Sequence, residues 1–349
     1  MKNMGDPIIS IVIPAYNRKD LLKECLDSLL DQTYPKEDYE IVVVDDGSTD
    51  GTEDMLRQMS GEHGNLRYFR QENMGAYCAC NTGILNSNGA IIVFTDSDCV
   101  LPNNFLELTD SYFGKYPEIS ACVGLPLITF GNGFFSSLSG YYRHVFESAK
   151  PAEKVFLTPD PAVILHTDCA AVKKDALLDI GCFSDKFARA WGGGDPDLGF
   201  KLLEKGHGIL TSNKMFVYHR QRDALSGLVR RDYAFGTWDT VNLRDHFRGW
   251  AGIYMNESGF SRHTSLPITI FLHITLLKIT LLLLLLAFFF PLAGGLMLSA
   301  YFFRRYLAVK KMGGNIKLFM AFMLYRYITD GSRLAGHIVG SIKNRVICL

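Results

Sequence analysis

The order of the first 115 residues constrains the fold more than any other feature of this chain. Short apolar runs rich in β-branched residues alternate there with longer stretches of helical spacing. Residues 8–13 form the first run and stop at Pro14, which reads as a buried strand. Residues 18–31 follow, with Leu21, Leu22, Cys25, Leu26, Leu29 and Leu30 on one helical face and Asn17 placed to cap it. Residues 40–44, 66–69 and 90–94 repeat the strand pattern. Residues 52–59, 76–85 and 102–113 repeat the helical one, with Pro102 suited to a first turn. This order predicts an α/β fold, a mainly parallel sheet with helices on both faces. Crossovers in such sheets are right-handed, and ligands sit outside the carboxyl ends of the strands.

Three of those ends are unusual. They read Pro14-Ala15-Tyr16-Asn17, Asp45-Asp46-Gly47-Ser48 and Asp96-Ser97-Asp98. Four carboxylates and an aromatic ring therefore converge on one rim. Oxygen ligands of this kind suit a hard divalent cation, Mg²⁺ or Mn²⁺. The Asp-x-Asp triplet is weak evidence alone, because at roughly 6% Asp chance supplies about one per chain of this length. Asp195-Pro196-Asp197 is a second. Position after the fourth strand is what gives the first its weight.

Beyond residue 115 the pattern loosens. Aromatic residues and glycines dominate 124–160, strand and helix patterns resume near 162–180, and 214–219 reads as a final strand. Lys plus Arg and Asp plus Glu both total 36, so no global field points to nucleic acid. The eight cysteines lack a CxxC pair and lie in apolar or small-residue contexts, which suits reduced packing residues in the cytosol. The first residues carry no apolar core of a secretory signal.

Residues 266–303 break the average, with Lys278 as their only charge and leucine at every position from 281 to 286. A membrane helix needs ~20 apolar residues, so the stretch exceeds one span and falls a little short of two. Arg244, Arg248 and Arg262 precede it, and Arg304, Arg305, Lys310 and Lys311 follow it. Both flanks thus favour the cytosolic side. A hairpin turning near 291–295 satisfies this, and so does a helix pair lying partly in the interface. Lys278 either snorkels or faces a protein interior. Residues 316–346 mix apolar and basic positions at helical spacing, as interfacial helices do.

Together the motifs resemble the family 2 glycosyltransferases with the GT-A fold. The resemblance rests on residues 11–17, 43–52, Asn73-Met74-Gly75, Asn81-Thr82-Gly83 and Asp96-Ser97-Asp98. Farther on it rests on Ile180-Gly181-Cys182-Phe183, residues 194–198 and His219. It spans roughly 8–235, and 266–303 is similar to the C-terminal membrane anchors of many members. It implies a catalytic domain over 1–240, with a nucleotide-binding half (1–115) and an acceptor half (116–240). A connector (241–265), a transmembrane or membrane-embedded hairpin (266–303) and basic amphipathic helices (304–349) would follow. The expected place is the cell membrane, with the catalytic domain on its cytoplasmic face.

The implied function is inverting transfer of a sugar from a nucleotide-sugar, UDP-linked by first expectation, to a saccharide or lipid-linked acceptor. Tyr16 would lie against the nucleobase, and Asp46 would accept from a base imide. Asp96 would hold ribose or sugar hydroxyls, Asp98 the metal, and His219 would complete the metal or diphosphate site. Asp195 would be the base that deprotonates the acceptor. Pro14, Asn17, Asp45, Asn73, Gly75, Asn81, Ser97, Asp168, Trp191, Arg220 and Arg222 complete the expected donor surface.

Each has a plainer alternative. Tyr16 and Trp191 could pack, Asp45 could cap the next helix, Asp195 could cap a helix at Pro196, His219 could be an ordinary strand histidine, and the arginines a solvated face. Three positions depart from the family pattern: Gly194 where Glu is frequent, Cys80 where Arg is, and Asp168 where Asn is. A nicotinamide-dependent oxidoreductase is disfavoured, because no GxGxxG follows the first strand. A nucleotidyltransferase would want a glycine-rich basic first loop. A non-catalytic sugar-binding subunit that kept the fold remains the rival of a different class.

Overall fold

A computed structural model describes residues 8–129, 153–160, 163, 165–220, 224–255, 258–263, 268–311 and 316–349. They divide into two compact units, one built from the described residues up to 220 and one from those beyond 223.

In the first unit, strands β1 (Ile9–Ala15), β2 (Tyr39–Asp45), β3 (Leu66–Arg70) and β4 (Ile91–Phe94) alternate with helices α1 (Lys19–Leu30), α2 (Thr52–Glu62) and α3 (Ala76–Asn86). All four strands pair in parallel, in the order β3-β2-β1-β4. Period two sorts their side chains. Ile9, Ile11, Ile13, Ile41, Val43, Ile91 and Val93 share one core with Leu22, Leu26 and Leu29 of α1 and Leu56 of α2. Val12, Val42 and Val44 are fully buried on the other face, where α3 packs. Burial on both faces explains why these strands read as unbroken apolar runs.

The expectation of a mainly parallel sheet holds only for this half. Strand β5 (Cys99–Val100) and helix α4 (Phe105–Lys115) lead to β6 (Ile119–Thr129), β7 (Glu153–Phe156), β8 (Ala170–Lys173) and β9 (Gly208–Arg220). The full order is β3-β2-β1-β4-β8-β6-β9-β5, with β7 also on β9. Here β8 runs antiparallel to both β4 and β6, β9 antiparallel to β5 and β7, and only β6 and β9 are parallel. The sheet is mixed where the regular strand-helix alternation that supports parallel pairing ends, β4 leading directly to β5. Helices α5 (Lys174–Asp179) and α6 (Gly194–Glu204) complete the unit.

Two local expectations also change. Arg18, not Asn17, occupies the cap position of α1, and no side chain caps it. Asn17 sits at φ 51° and accepts the Thr49 N–H at 2.8 Å. Helix α4 begins at Phe105, whose N–H donates to the Pro102 carbonyl, so Pro102 lies in the preceding turn.

In the second unit, α7 (Leu225–His246) packs along the long helix α10 (Ile316–Asn344). A Cβ on Gly236 or Gly336 would fall 2.2 Å from a carbonyl oxygen of the facing helix, so the close crossing requires both glycines. The stretch read as a connector holds the end of α7 and a β-hairpin, β10 (Trp250–Met255) and β11 (Ser258–His263). Strand β12 (Ile270–Ile274) pairs in parallel with β10 and with β13 (Ile347–Cys348).

The apolar segment is a helix pair, α8 (Leu276–Phe289) and α9 (Pro291–Lys311), broken at Phe290. Among the described residues, no helix is long and apolar enough to cross a membrane. At about 1.5 Å per residue, α8 falls short of a bilayer core of ~30 Å. The expectation of a transmembrane hairpin therefore finds no support in these helices. The physical reasons are that β12 takes the first residues of the apolar run and that the chain breaks before Pro291, which lacks the N–H needed to continue a helix. Lys278 resolves its cost by folding back, its Nζ donating to the His273 carbonyl at 2.6 Å.

Candidate active site

Strand register builds the rim. Ala15 lies opposite Asp45, and Val12 opposite Phe94, so the segments after β1, β2 and β4 emerge side by side. Antiparallel pairing of Phe94 with Ala170 brings Asp168, just before β8, to the same edge. Pairing of Cys99 with His219 brings in the end of β9.

His219 joins two of the acids. Its Nδ1 is 3.1 Å from Asp168 Oδ2 and its Nε2 is 3.2 Å from Asp98 Oδ1. Burial alone would lower the imidazole's pKa, but its hydrogen bond to Asp168 and the charges of Asp98 and Asp168 carry it up to about 10. Arg18 pairs with the second Asp98 oxygen. Burial works against ionisation of Asp98, yet His219 and Arg18 outweigh it and hold the carboxyl below its usual range. Asp98 Oδ1 is buried and makes no hydrogen bond, its approach to His219 being close but out of line. Asp98, Cys99 and His219 offer ligand atoms within 4.8 Å of one another. Burial keeps the Cys99 thiol protonated, which leaves the oxygen and nitrogen donors that a hard divalent ion prefers.

Asp96 and Asp195 behave oppositely. Asp96 is partly open at its surface yet crowded by protein atoms, and burial with the Asp98 charge pushes it up to about 7. Asp195 lies in the first turn of α6, where Thr167 Oγ1 donates to its Oδ1 at 2.9 Å. Burial and the Asp96 charge raise it to about 7, against hydrogen bonds from Thr167 and Tyr77.

The other expected residues divide. Tyr16 (48% exposed) and Trp191 stand open at the surface, Asn73 is exposed, and Pro14 is partly so. Asp45 is wholly buried; Ser48 N–H and Arg70 Nη1 occupy its carboxylate at 2.9 and 2.7 Å, so it holds the loop from beneath. Asp46 is nearly as buried and already accepts from Gln71 Nε2 and from the N–H groups of Met74 and Gly75. A base imide would be a fourth donor. Asn81 forms a reciprocal pair with the backbone of Phe183, both bonds 3.0 Å, which ties α3 to the segment before α6. Ser97 is buried. The Arg220 guanidinium pairs with Glu24 at 2.5 Å, and Arg222 lies outside the described residues.

With that geometry in view, comparison with known proteins is specific. Residues 10–181 match glycosyl transferase family 2. Glycosyltransferase AglE of Haloferax volcanii is 45% identical over 249 residues, 69% of this chain and 78% of AglE. The chain belongs to glycosyl transferase family 2. The mannosyltransferase PcManGT of Pyrobaculum calidifontis, solved with GDP-Man and Mn²⁺, superposes with a TM-score of 0.58 at 20% identity, over 96% of this chain and 87% of that one. Residues 1–349 of S. aureus TarS, solved with UDP, superpose with a TM-score of 0.52 at 21% identity, over 68% of this chain and 66% of that one. At such identities the likeness is one of fold, GT-A.

Three residues of this glycosyltransferase were not singled out as site residues from its sequence: Arg18, Tyr77 and Thr167. Arg18 and Thr167 are common surface types, but Tyr77 carries a legible signal beside Gly194. A Cβ on Gly194 would fall 2.7 Å from the Tyr77 ring, which stacks on Phe183 with centroids 5.2 Å apart. The phenol thus fills the space that a Glu at 194 would need, and its hydroxyl bonds Asp195 instead. Cys80 likewise lies fully enclosed, with no room for an arginine. Gly194→Ala is expected to lower stability by about 1–3 kcal/mol through overpacking. Tyr77→Ala should offset part of that loss, giving a double variant better than additive in a denaturant-unfolding cycle.

Proposed function

We propose that the chain transfers a sugar from a nucleoside-diphosphate sugar to a hydroxyl of a saccharide or lipid-linked acceptor, with inversion at the anomeric carbon. One observation carries this reading: two acids on one rim are tuned apart, Asp98 held low and Asp195 raised to about 7. Pairs separated in this way divide electrostatic from proton-transfer work. Asp98 and His219 fit a divalent ion, Mg²⁺ or Mn²⁺, because a buried Asp98 oxygen has no hydrogen bond and faces an imidazole nitrogen. Bound there, the ion would supply Lewis-acid stabilisation of charge on the departing diphosphate. Asp96 holds ribose or sugar hydroxyls, Tyr16 lies against the base, and Arg18 turns from Asp98 toward phosphate. Asp195 takes the acceptor proton as the acceptor oxygen bonds the anomeric carbon and the bond to the diphosphate oxygen breaks. Thr167 and Tyr77 fix its orientation.

UDP is the first-choice nucleotide, supported by the TarS complex, with GDP next and dTDP after it. A thermal-shift screen of UDP-, GDP- and dTDP-sugars, with and without Mn²⁺, tests the reading. One nucleotide series should raise the melting temperature only with the ion. If no sugar nucleotide is bound or hydrolysed under any condition, the chain is the non-catalytic subunit.

The site of action follows from the helix pair α8–α9. Leu281, Leu282, Leu284, Leu285, Phe288 and Phe289 are all more than half or nearly half exposed. Arg304 and Lys310 stand exposed farther along α9. Neither helix being both long and apolar enough to span, such a pair suits burial in one leaflet, with its cations at anionic headgroups. The reduced cysteines, all but Cys78 buried, support a cytoplasmic face. The full chain should float with anionic vesicles, and Leu285→Asp with Phe288→Asp should abolish flotation; retention in the soluble fraction by the wild type would sink this part.

A further inference from the structure

The second unit holds a second cluster of metal-ligating side chains. His273 of β12, His337 of α10 and Cys348 of β13 offer ligand atoms that all lie within 4.8 Å of one another. Three separate elements meet here, and backbone geometry fixes each. Parallel pairing sets Cys348 opposite Phe271, so Cys348 and His273 point to the same face of the small sheet. The Cys348 N–H donates to Ser341 Oγ of α10 at 3.0 Å, and Ser341 Oγ donates back to the Cys348 carbonyl at 3.1 Å. The rings of His273 and His337 lie with centroids 5.0 Å apart.

His337 decides what the cluster is for. Only 1% of it is exposed, and its Nε2 lies 3.0 Å from Asp239 Oδ2 of α7. Arg333 donates to that same oxygen through Nη2 at 2.8 Å and Nε at 3.1 Å, holding the carboxylate in place. A carboxylate accepting from Nε2–H puts the lone pair on Nδ1. That Nδ1 is buried and has no hydrogen-bond partner. An imidazole turned by a carboxylate at one nitrogen, with its other nitrogen bare, is the arrangement that orients histidines on metal ions. Left empty, a buried acceptor keeps an uncompensated desolvation penalty.

We propose that His273, His337 and Cys348 bind one Zn²⁺, with Asp239 orienting His337. The donor set of two imidazoles and a thiol is borderline-soft and suits zinc over the hard ions of the sugar-transfer site. With Zn–N of about 2.0 Å and Zn–S of about 2.3 Å, a tetrahedral ion wants its ligand atoms roughly 3.5 Å apart, a contraction of about one ångström from the present spread. The thiol gives its proton to solvent as the thiolate takes the ion. A water can hold the fourth position. The ion would tie β12 and β13 to α10, so its role is to hold the second unit together.

The test is metal analysis of the full-length chain purified from zinc-supplemented medium. One zinc per chain is expected, retained in Asp98→Asn and lost in Cys348→Ser and in His337→Ala. Because a variant could fail to fold, the wild type is also stripped with chelator and titrated with Co²⁺. A thiolate-to-cobalt charge-transfer band should appear, and zinc should bleach it and raise the melting temperature by several degrees. Zinc content below one tenth per chain together with no cobalt band would overturn the proposal. So would full zinc retention in Cys348→Ser, and so would loss of zinc in Asp98→Asn, which would put the ion on the rim instead.

Discussion

Asp195→Asn is expected to lower kcat by about 10²–10⁴-fold, the range for loss of a general base, while raising thermal stability. The two signs come from one cause. Burial and the Asp96 charge raise the Asp195 carboxyl to about 7, so ionising it in the folded state is unfavourable. In the unfolded chain the same group ionises near its ordinary value. Between roughly pH 4 and pH 7 the folded protein therefore keeps a proton that the unfolded one has lost, and stability falls as pH rises through that window. Above pH 7 the loss is complete, and an amide removes it. Thr167 and Tyr77 can still hydrogen-bond the amide, so packing survives. Turnover runs the other way, because the base works only when ionised: wild-type kcat/KM should climb with pH up to about 7 and then level. A denaturation midpoint that rises together with collapsed turnover separates this role from misfolding. If Asp195→Asn keeps wild-type turnover on the true acceptor, another group is the base.

The same residues show what was legible. The parallel half of the sheet could be read because β1, β2 and β4 are buried on both faces, and the runs 8–13, 40–44 and 90–94 fall within a residue or two of the observed bounds. Its rim followed from topology alone. Strand β9 was only half visible, since Thr211, Ser212, Asn213 and Lys214 interrupt its apolar pattern where its register against β6 shifts and only Thr211 and Ser212 pair with β7. Strand β12 was hidden inside an apolar run, where periodicity cannot separate a short strand from a helix. His273 within it looked like part of that run. Tyr77 sat in a stretch correctly read as helix, but its meaning depends on Gly194, more than a hundred residues away. Arg18 looked like a surface cation, and only the register of β1 against β4 brings it to Asp98. Asp45, Asp46 and Asn81 each carry partners within the protein, which no spacing reveals.

Asp98→Asn is expected to abolish ion-dependent donor binding and to cost about 10³-fold or more in kcat/KM, several kcal/mol of charge stabilisation at about 1.4 kcal/mol per decade. The reasoning starts from charge. Arg18 and His219 now balance Asp98, and Asp98 is the only one of the four rim acids to pair directly with both. An amide is nearly the same size but removes the anion that a divalent ion needs, and it leaves two partly buried cations without it. Like charges within a few ångströms disfavour each other's ionised forms, so the His219 pKa should fall from about 10 once the Asp98 contribution is gone. Two readouts then separate metal loss from general damage. The Mn²⁺-dependent rise in melting temperature with a sugar nucleotide should vanish, while His219, followed by its imidazole resonances in an NMR titration, should titrate at a lower pH than in the wild type. Asp96→Asn makes the contrast. It removes a carboxyl that burial already holds at about 7 and leaves Asp98 with both partners. It should therefore weaken the sugar nucleotide while preserving the response to Mn²⁺. Equal loss of that response in both variants would mean that Asp96 shares the ion, and the division of labour along the triplet would have to be redrawn.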